Sequence, residues 1–201
     1  METYKITKVQ IINAFKEKNI TFFSQNDLKK FFDIRSRNTL KHLIMRLKKE
    51  RVIEHLRRDK YLFIYSTKKP SDFAIANFLV IPSYISLESA LSYYGIIDQF
   101  PYHISSLTLG KSCRYKIRDK MFTYSKIKKD YFKDFVMSDD FLIAVKKKAL
   151  FDYLYFIYKG LRPVNILNEL ETYVKEQRVK HYLLINADQK YKAFINKHVK
   201  L

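Results

Sequence analysis

Four apolar residues, Leu40, Leu43, Ile44 and Leu47, recur between Arg35 and Glu50 at the spacing of one helical face. At about 100° per residue, Asn38, His42, Met45 and Lys49 fall on the opposite face. The stretch therefore predicts an amphipathic helix with one side in a core and the other free to touch something. Ser36 stands where it can cap that helix. Upstream, Ser24 can cap a short helix from Gln25 to Phe32 with Asp27 in its first turn, and Asp33-Ile34-Arg35 makes the brief turn between the two. Two short helices joined this way, the second of them basic, predict a helix-turn-helix, the geometry that enters a DNA major groove.

The flanking residues extend the pattern. Val9, Ile12 and Phe15 predict a first helix from about Lys5 to Lys18 packed behind the other two, and Thr21-Phe22-Phe23 reads as a short extended piece. Val52 to His55 and Tyr61 to Tyr65 are β-prone runs separated by Leu56-Arg57-Arg58-Asp59-Lys60, a hairpin with a basic tip that would form a wing. The residue leaving the basic helix is Arg51, where glycine would tolerate positive φ; a left-handed Arg51 costs roughly 1 kcal/mol. Residues 1–68 thus predict a winged helix-turn-helix. Its expected DNA-binding residues are Ser36, Arg37, Asn38, Lys41, His42, Met45, Arg46 and Lys49 on the helix, with Arg57, Arg58 and Lys60 in the wing. Asn38 and His42 lie near base edges in this reading, with a phosphate contact as the alternative for His42, and the wing cations lie on phosphate or in the minor groove. The bland alternative is a solvated basic face.

Charge favours a polyanionic partner. The formal net charge is +19, enough for a long-range positive field. It is uneven: residues 1–70 hold 18 bases and 7 acids, whereas 71–201 hold 21 and 13. Per residue the first segment is more than twice as basic. With 47% hydrophobic residues and only three glycines, the chain is expected to be ordered rather than disordered. The longest nearly apolar run, Phe73 to Pro82, is too short to span a bilayer, and the opening Met-Glu-Thr-Tyr-Lys-Ile-Thr-Lys lacks the form of a signal peptide. Cys113 stands alone, so no internal disulfide forms. These features predict a cytoplasmic protein with no membrane partner.

Ser66 to Ser71 is polar, contains Pro70 and separates the two differently charged regions, so a domain boundary is expected there. Beyond it, 71–201 predicts helices at Asp72–Val80 and Ser86–Tyr94, the second capped by Ser86 and ended by Gly95. Strands are expected at Tyr102–Leu109, Ser112–Ile117, Met121–Ile127, Asp130–Met137 and Phe141–Val145. Helices at Lys146–Tyr158, Val164–Gln177 and Gln189–His198 close the chain. The fold class is α+β: an N-terminal winged helix-turn-helix, then a mixed α/β domain with a helical C-terminal part.

Little supports catalysis. The five histidines are dispersed, and none stands with Cys113 or a carboxylate at a metal-ligand spacing. Gly95, Gly110 and Gly160 are too far apart for a phosphate-binding loop. Ser125-Lys126-Ile127-Lys128 matches Ser-x-x-Lys, a pattern that chance readily supplies among 29 lysines. No catalytic residue, metal or cofactor is expected.

Pro82-Ser83-Tyr84-Ile85-Ser86-Leu87-Glu88-Ser89-Ala90-Leu91-Ser92-Tyr93-Tyr94-Gly95-Ile96-Ile97 resembles the segment that follows the winged helix in AbiEi-type antitoxins of abortive-infection toxin-antitoxin systems. Ile143 to Asp152 resembles that family's strand-to-helix segment, usually Ala-x-Pro-Glu-Lys-Ala-Leu-Leu-Asp. Lys148, Ala149, Leu150 and Asp152 fit it, whereas Lys146 and Lys147 replace the usual Pro and Glu. The resemblance implies a repressor of its own operon, bound to double-stranded operator DNA with inverted repeats, that also counters a nucleotidyltransferase-like toxin. Two alternatives stand beside it. One is a non-sequence-specific nucleic-acid-binding protein whose tyrosines supply stacking surfaces; the other is an interaction protein that masks a toxin or its substrate. The Lys146-Lys147-Lys148 cluster reads either as a solvated helix start or, because three cations there oppose the helix dipole, as an anion site.

Overall fold

A computed structural model describes residues 6–98 and 101–198. The chain divides between Ser71 and Asp72 into two compact units, and the whole is α+β.

In unit 1, Thr7 caps α1 (Lys8–Glu17) in a reciprocal box: the Gln10 N–H donates to Thr7 Oγ1 at 3.3 Å, and the Thr7 N–H donates to Gln10 Oε1 at 2.8 Å. Lys5, where this helix is expected to begin, lies outside the described residues. The helix buries Ile11 and Phe15, while Val9 is 64% exposed. The expected Val9–Ile12–Phe15 stripe is corrected here, because an i, i+4 pair and an i, i+3 pair are equally periodic and only packing chooses between them. Strand β1 (Phe22–Phe23) leads to α2 (Gln25–Phe31), α3 (Arg37–Lys49), β2 (Ile53–Arg57) and β3 (Lys60–Phe63). The strands form an antiparallel sheet in the order β1-β3-β2, with Phe23 opposite Tyr61 and Ile53 opposite Phe63. Leu56 is buried within β2, so the hairpin tip shortens from the expected five residues to Arg58-Asp59, with Asp59 at φ +61°. Phe15 sits at the centre of the core, edge-on to Phe23 at 4.9 Å and to Phe63 at 5.2 Å. Leu40, Leu43, Ile44 and Leu47 close that core from α3.

Unit 2 runs α4 (Asp72–Leu79), β4 (Ser83–Ile85), α5 (Leu87–Tyr93), β5 (His103–Thr108), β6 (Cys113–Ile117), β7 (Lys120–Lys126), β8 (Phe135–Ser138), β9 (Phe141–Ala144), α6 (Lys146–Tyr158), α7 (Leu167–Val174), α8 (Gln177–Asn186) and α9 (Gln189–His198). The sheet order is β6-β7-β5-β4-β9-β8, with β5–β7 and β4–β9 parallel and the other pairs antiparallel. Gly95 at φ +63° ends α5, its N–H donating to the Ser92 carbonyl at 3.0 Å. Three expectations are corrected. Ser86 occupies the N-cap position of α5, but its hydroxyl donates to Asp152 Oδ2 at 2.8 Å instead of capping. Asp130–Met137 is not one strand: a 3-10 turn, Lys129–Tyr131, buries the Tyr131 ring 5.0 Å from Phe151 and Tyr155, and β8 starts only at Phe135. The Lys146–Lys148 cluster is no bare anion site, since Lys148 is 1% exposed and paired with Asp152, while Lys146 lies over Tyr173 and Lys147 over Tyr182.

Candidate nucleic-acid interface

The exposed face of unit 1 is built on α3. Ser36 begins it, its hydroxyl accepting the Thr39 N–H at 3.4 Å. Inward, Leu40, Leu43, Ile44 and Leu47 anchor the helix, so its rotation is set by the core. Outward, Arg37, Asn38, Lys41, His42, Met45 and Lys49 are exposed. The described residues divide this face into two. Arg37, Asn38, Lys41, Met45 and Lys48 line a depression of about 590 Å³, whose other walls come from Gln25 at the start of α2 and from His55 and Tyr61 in the hairpin. His42 and Lys49, one turn-pair apart (i, i+7), form a separate exposed stripe outside that lining.

The depression is held in shape by polar contacts at its edge. Gln25 donates its backbone N–H to Asp59 Oδ1 at 2.7 Å and its side-chain amide to the Tyr61 hydroxyl at 2.9 Å. These bonds tie the hairpin turn to the start of α2. Ser24 and Asp27 close a capping box beside them, Asp27 Oδ2 accepting the Ser24 N–H at 2.8 Å. That N–H, followed by the Ser24 hydroxyl, holds the Asp27 carboxyl below its usual range.

The predicted residues do not all stand alike. Arg46 differs from the other helix cations: its guanidinium donates to the Ile6 carbonyl and it is half-buried. Arg46 stands on the flank of the helix, between Leu43 and the His42–Lys49 stripe, where a carbonyl of the segment before α1 is within reach. In the hairpin, Arg58 is exposed, whereas Arg57 and Lys60 are half-buried. Burial, then the neighbouring Arg57, depresses the Lys60 ammonium below its ordinary range. Gln25, Lys48 and His55 are not among the residues that the sequence nominates. Lys48 was legible, lying i+7 from Lys41 on the same helical stripe. Gln25 and His55 reach the depression only through the pairing of α2 with the hairpin.

Arg51 leaves α3 at φ +51°, its N–H donating to the Lys48 carbonyl at 3.1 Å, so the left-handed exit is made without glycine. Among the described residues no group of three or more His, Cys, Asp or Glu side chains could hold a metal ion, and no helix is long and apolar enough to cross a membrane. Neither the known protein-family models nor the curated proteins compared with this chain match it.

Proposed function

We propose that the chain is a winged-helix regulator that binds double-stranded DNA through unit 1, represses its own operon at inverted repeats, and serves as antitoxin to a nucleotidyltransferase-like toxin. The observation that carries the DNA half is the α3 depression: a stripe of Arg37, Asn38, Lys41, Met45 and Lys48, anchored from behind by four buried apolar residues and walled by the hairpin. A helix held this way offers amide and cationic donors to base edges, and the exposed Arg58 of the hairpin turn suits a phosphate. The net +19 supplies steering toward a polyanion. The antitoxin half rests on the resemblance of Pro82–Ile97 and Ile143–Asp152 to AbiEi-type proteins. Stacking on tyrosines, which non-specific binding would use, has less to draw on in unit 2, where Tyr84, Tyr124, Tyr131, Tyr153, Tyr155, Tyr182 and Tyr191 are buried.

Titration of the full chain against the DNA upstream of its own gene, and against a scrambled duplex of equal composition, tests the first half. Preference for the upstream DNA that persists as salt rises from about 50 to 200 mM is expected, since phosphate contacts weaken with salt for both duplexes alike. Equal affinity for the two would leave no sequence-specific regulator. Co-expression with a nucleotidyltransferase-like protein encoded beside it tests the second half, growth rescue being the expected result.

A further inference from the structure

Unit 2 contains a cleft of about 720 Å³ between one face of β5, β6 and β7 and the segment joining α6 to α7. Its volume lies in the range of roughly 300–1,000 Å³ usual for small-molecule sites. Strand pairing explains its polar floor. Arg114 pairs with Thr123, and Ser105 with Thr123, so these three side chains share one sheet face, with Ser125 diagonal to Arg114 within reach of a long side chain. At the back, Arg162 is paired with Glu88, whose Oε2 also accepts the Ser105 hydroxyl at 3.0 Å, so that cation and anion cancel each other. Arg114 and Glu169, both lining the cleft, have no ion-pair partner among the described residues.

Tyr153 is 2% exposed as a whole and lines the cleft, and its hydroxyl makes no hydrogen bond to another described residue. A hydroxyl that lines a cleft and makes no bond to a neighbouring residue is free to meet water or a ligand. Burial, then Glu88, pushes this phenol up to about 12, so it keeps its proton and can donate. Apolar side chains such as Ile97, Met121, Leu161 and Ile166 supply the remaining walls.

We propose that this cleft binds a small bifunctional molecule: an oxyanion, carboxylate or phosphate monoester, held by Arg114 and the Ser125 hydroxyl, an apolar or aromatic body, and a hydroxyl or amine that meets Tyr153 and Glu169. A planar guanidinium matches either oxyanion in two-point fashion. The site stands independently of the DNA reading of unit 1.

Calorimetry on the full chain with four probes tests this. 4-Hydroxyphenylacetate and 4-hydroxyphenyl phosphate carry both ends, and the tighter of the two identifies the oxyanion; phenylacetate lacks the donor and tyramine lacks the oxyanion. The two complete probes bind and the incomplete ones bind more weakly. Arg114→Ala weakens a complete probe by roughly 10- to 100-fold, the usual range for a hydrogen bond to a charged group, and Tyr153→Phe by roughly 2- to 10-fold, the range for a neutral pair. Lys116→Ala, which removes an equal charge at the next same-face position of β6 but outside the lining, leaves affinity unchanged. Tyr153→Phe also melts no lower than the parent, because its hydroxyl has no partner to lose. The proposal is overturned if no probe binds at millimolar concentration, if tyramine binds as well as the complete probes, if Lys116→Ala weakens binding as much as Arg114→Ala, or if Tyr153→Phe is destabilised.

Discussion

Lys148 and Asp152 are 1% and 0% exposed, one turn apart on α6, and Asp152 also accepts hydroxyl protons from Tyr84 at 3.0 Å and Ser86 at 2.8 Å. Burial raises the Asp152 carboxyl, and the Lys148 ammonium opposes that shift. Removing the cation alone strands a buried carboxylate, so Lys148→Met is expected to lose about 3–5 kcal/mol of stability. Adding Asp152→Asn removes the stranded charge but keeps an acceptor for both hydroxyls, and should recover part of the loss in urea unfolding. If the double variant is no more stable than Lys148→Met, the penalty does not come from the charge. On the surface of unit 1 the residues divide differently. Asn38→Ala should relax sequence preference by roughly 1–3 kcal/mol if its amide makes a two-point base contact. Arg58→Ala should weaken upstream and scrambled DNA alike and flatten the salt dependence by about one unit. Anisotropy titrations at several salt concentrations separate these outcomes. An altered base preference in Arg58→Ala with none in Asn38→Ala would reverse the assignment.

Among the elements, α9 owes its start to Asp188. Its Oδ1 accepts the Tyr191 N–H at 3.0 Å, and its Oδ2 accepts from Lys128 at 2.9 Å and from the Tyr131 hydroxyl at 3.1 Å, tying the helix to the 3-10 turn. The Lys128 hydrogen bond, then the Tyr191 N–H, lowers this carboxyl to about 2 from an ordinary 3.8. A carboxyl depressed in the folded state contributes stability that is complete above the unfolded value and lost as pH falls through the folded one. The parent is therefore expected to lose this contribution between about pH 4 and pH 2, and Asp188→Asn to lack that part of the slope. Melting curves across the window check it; equal slopes would show that Asp188 carries none of the acid sensitivity. Periodicity and capping residues made α2, α3, α5 and α6 legible, because Ser24, Ser36, Gly95 and the apolar spacing are local signals. They left β4 and α8 unread. β4 is only three residues long and is defined by its neighbours β5 and β9. Val179, Tyr182 and Leu183 carry a helical stripe in α8, but it is short and bounded by no strong cap.

For the molecule as a whole, the two units have separate cores, and the polar segment Ser66–Ser71 runs up to the boundary between them. Residues 1–71 expressed alone should fold and bind the upstream DNA, and residues 72–201 should protect against the toxin without repressing the promoter. A soluble second fragment that gives no protection would remove the antitoxin half and leave the DNA-binding half standing. The basic asymmetry, the α3 stripe, the hairpin signal and the break before Asp72 were determined by the sequence itself, since each depends on residues close together in the chain. Tertiary structure alone decided which stripe of α1 enters the core, that Arg46 turns to Ile6, that Lys148 is sunk against Asp152, and that Gln25 and His55 share a wall with Arg37. The six-stranded order and its two parallel pairs belong to the same class. Each depends on which distant segment supplies a partner, and burial and hydrogen-bond satisfaction set that choice only when the whole chain has packed.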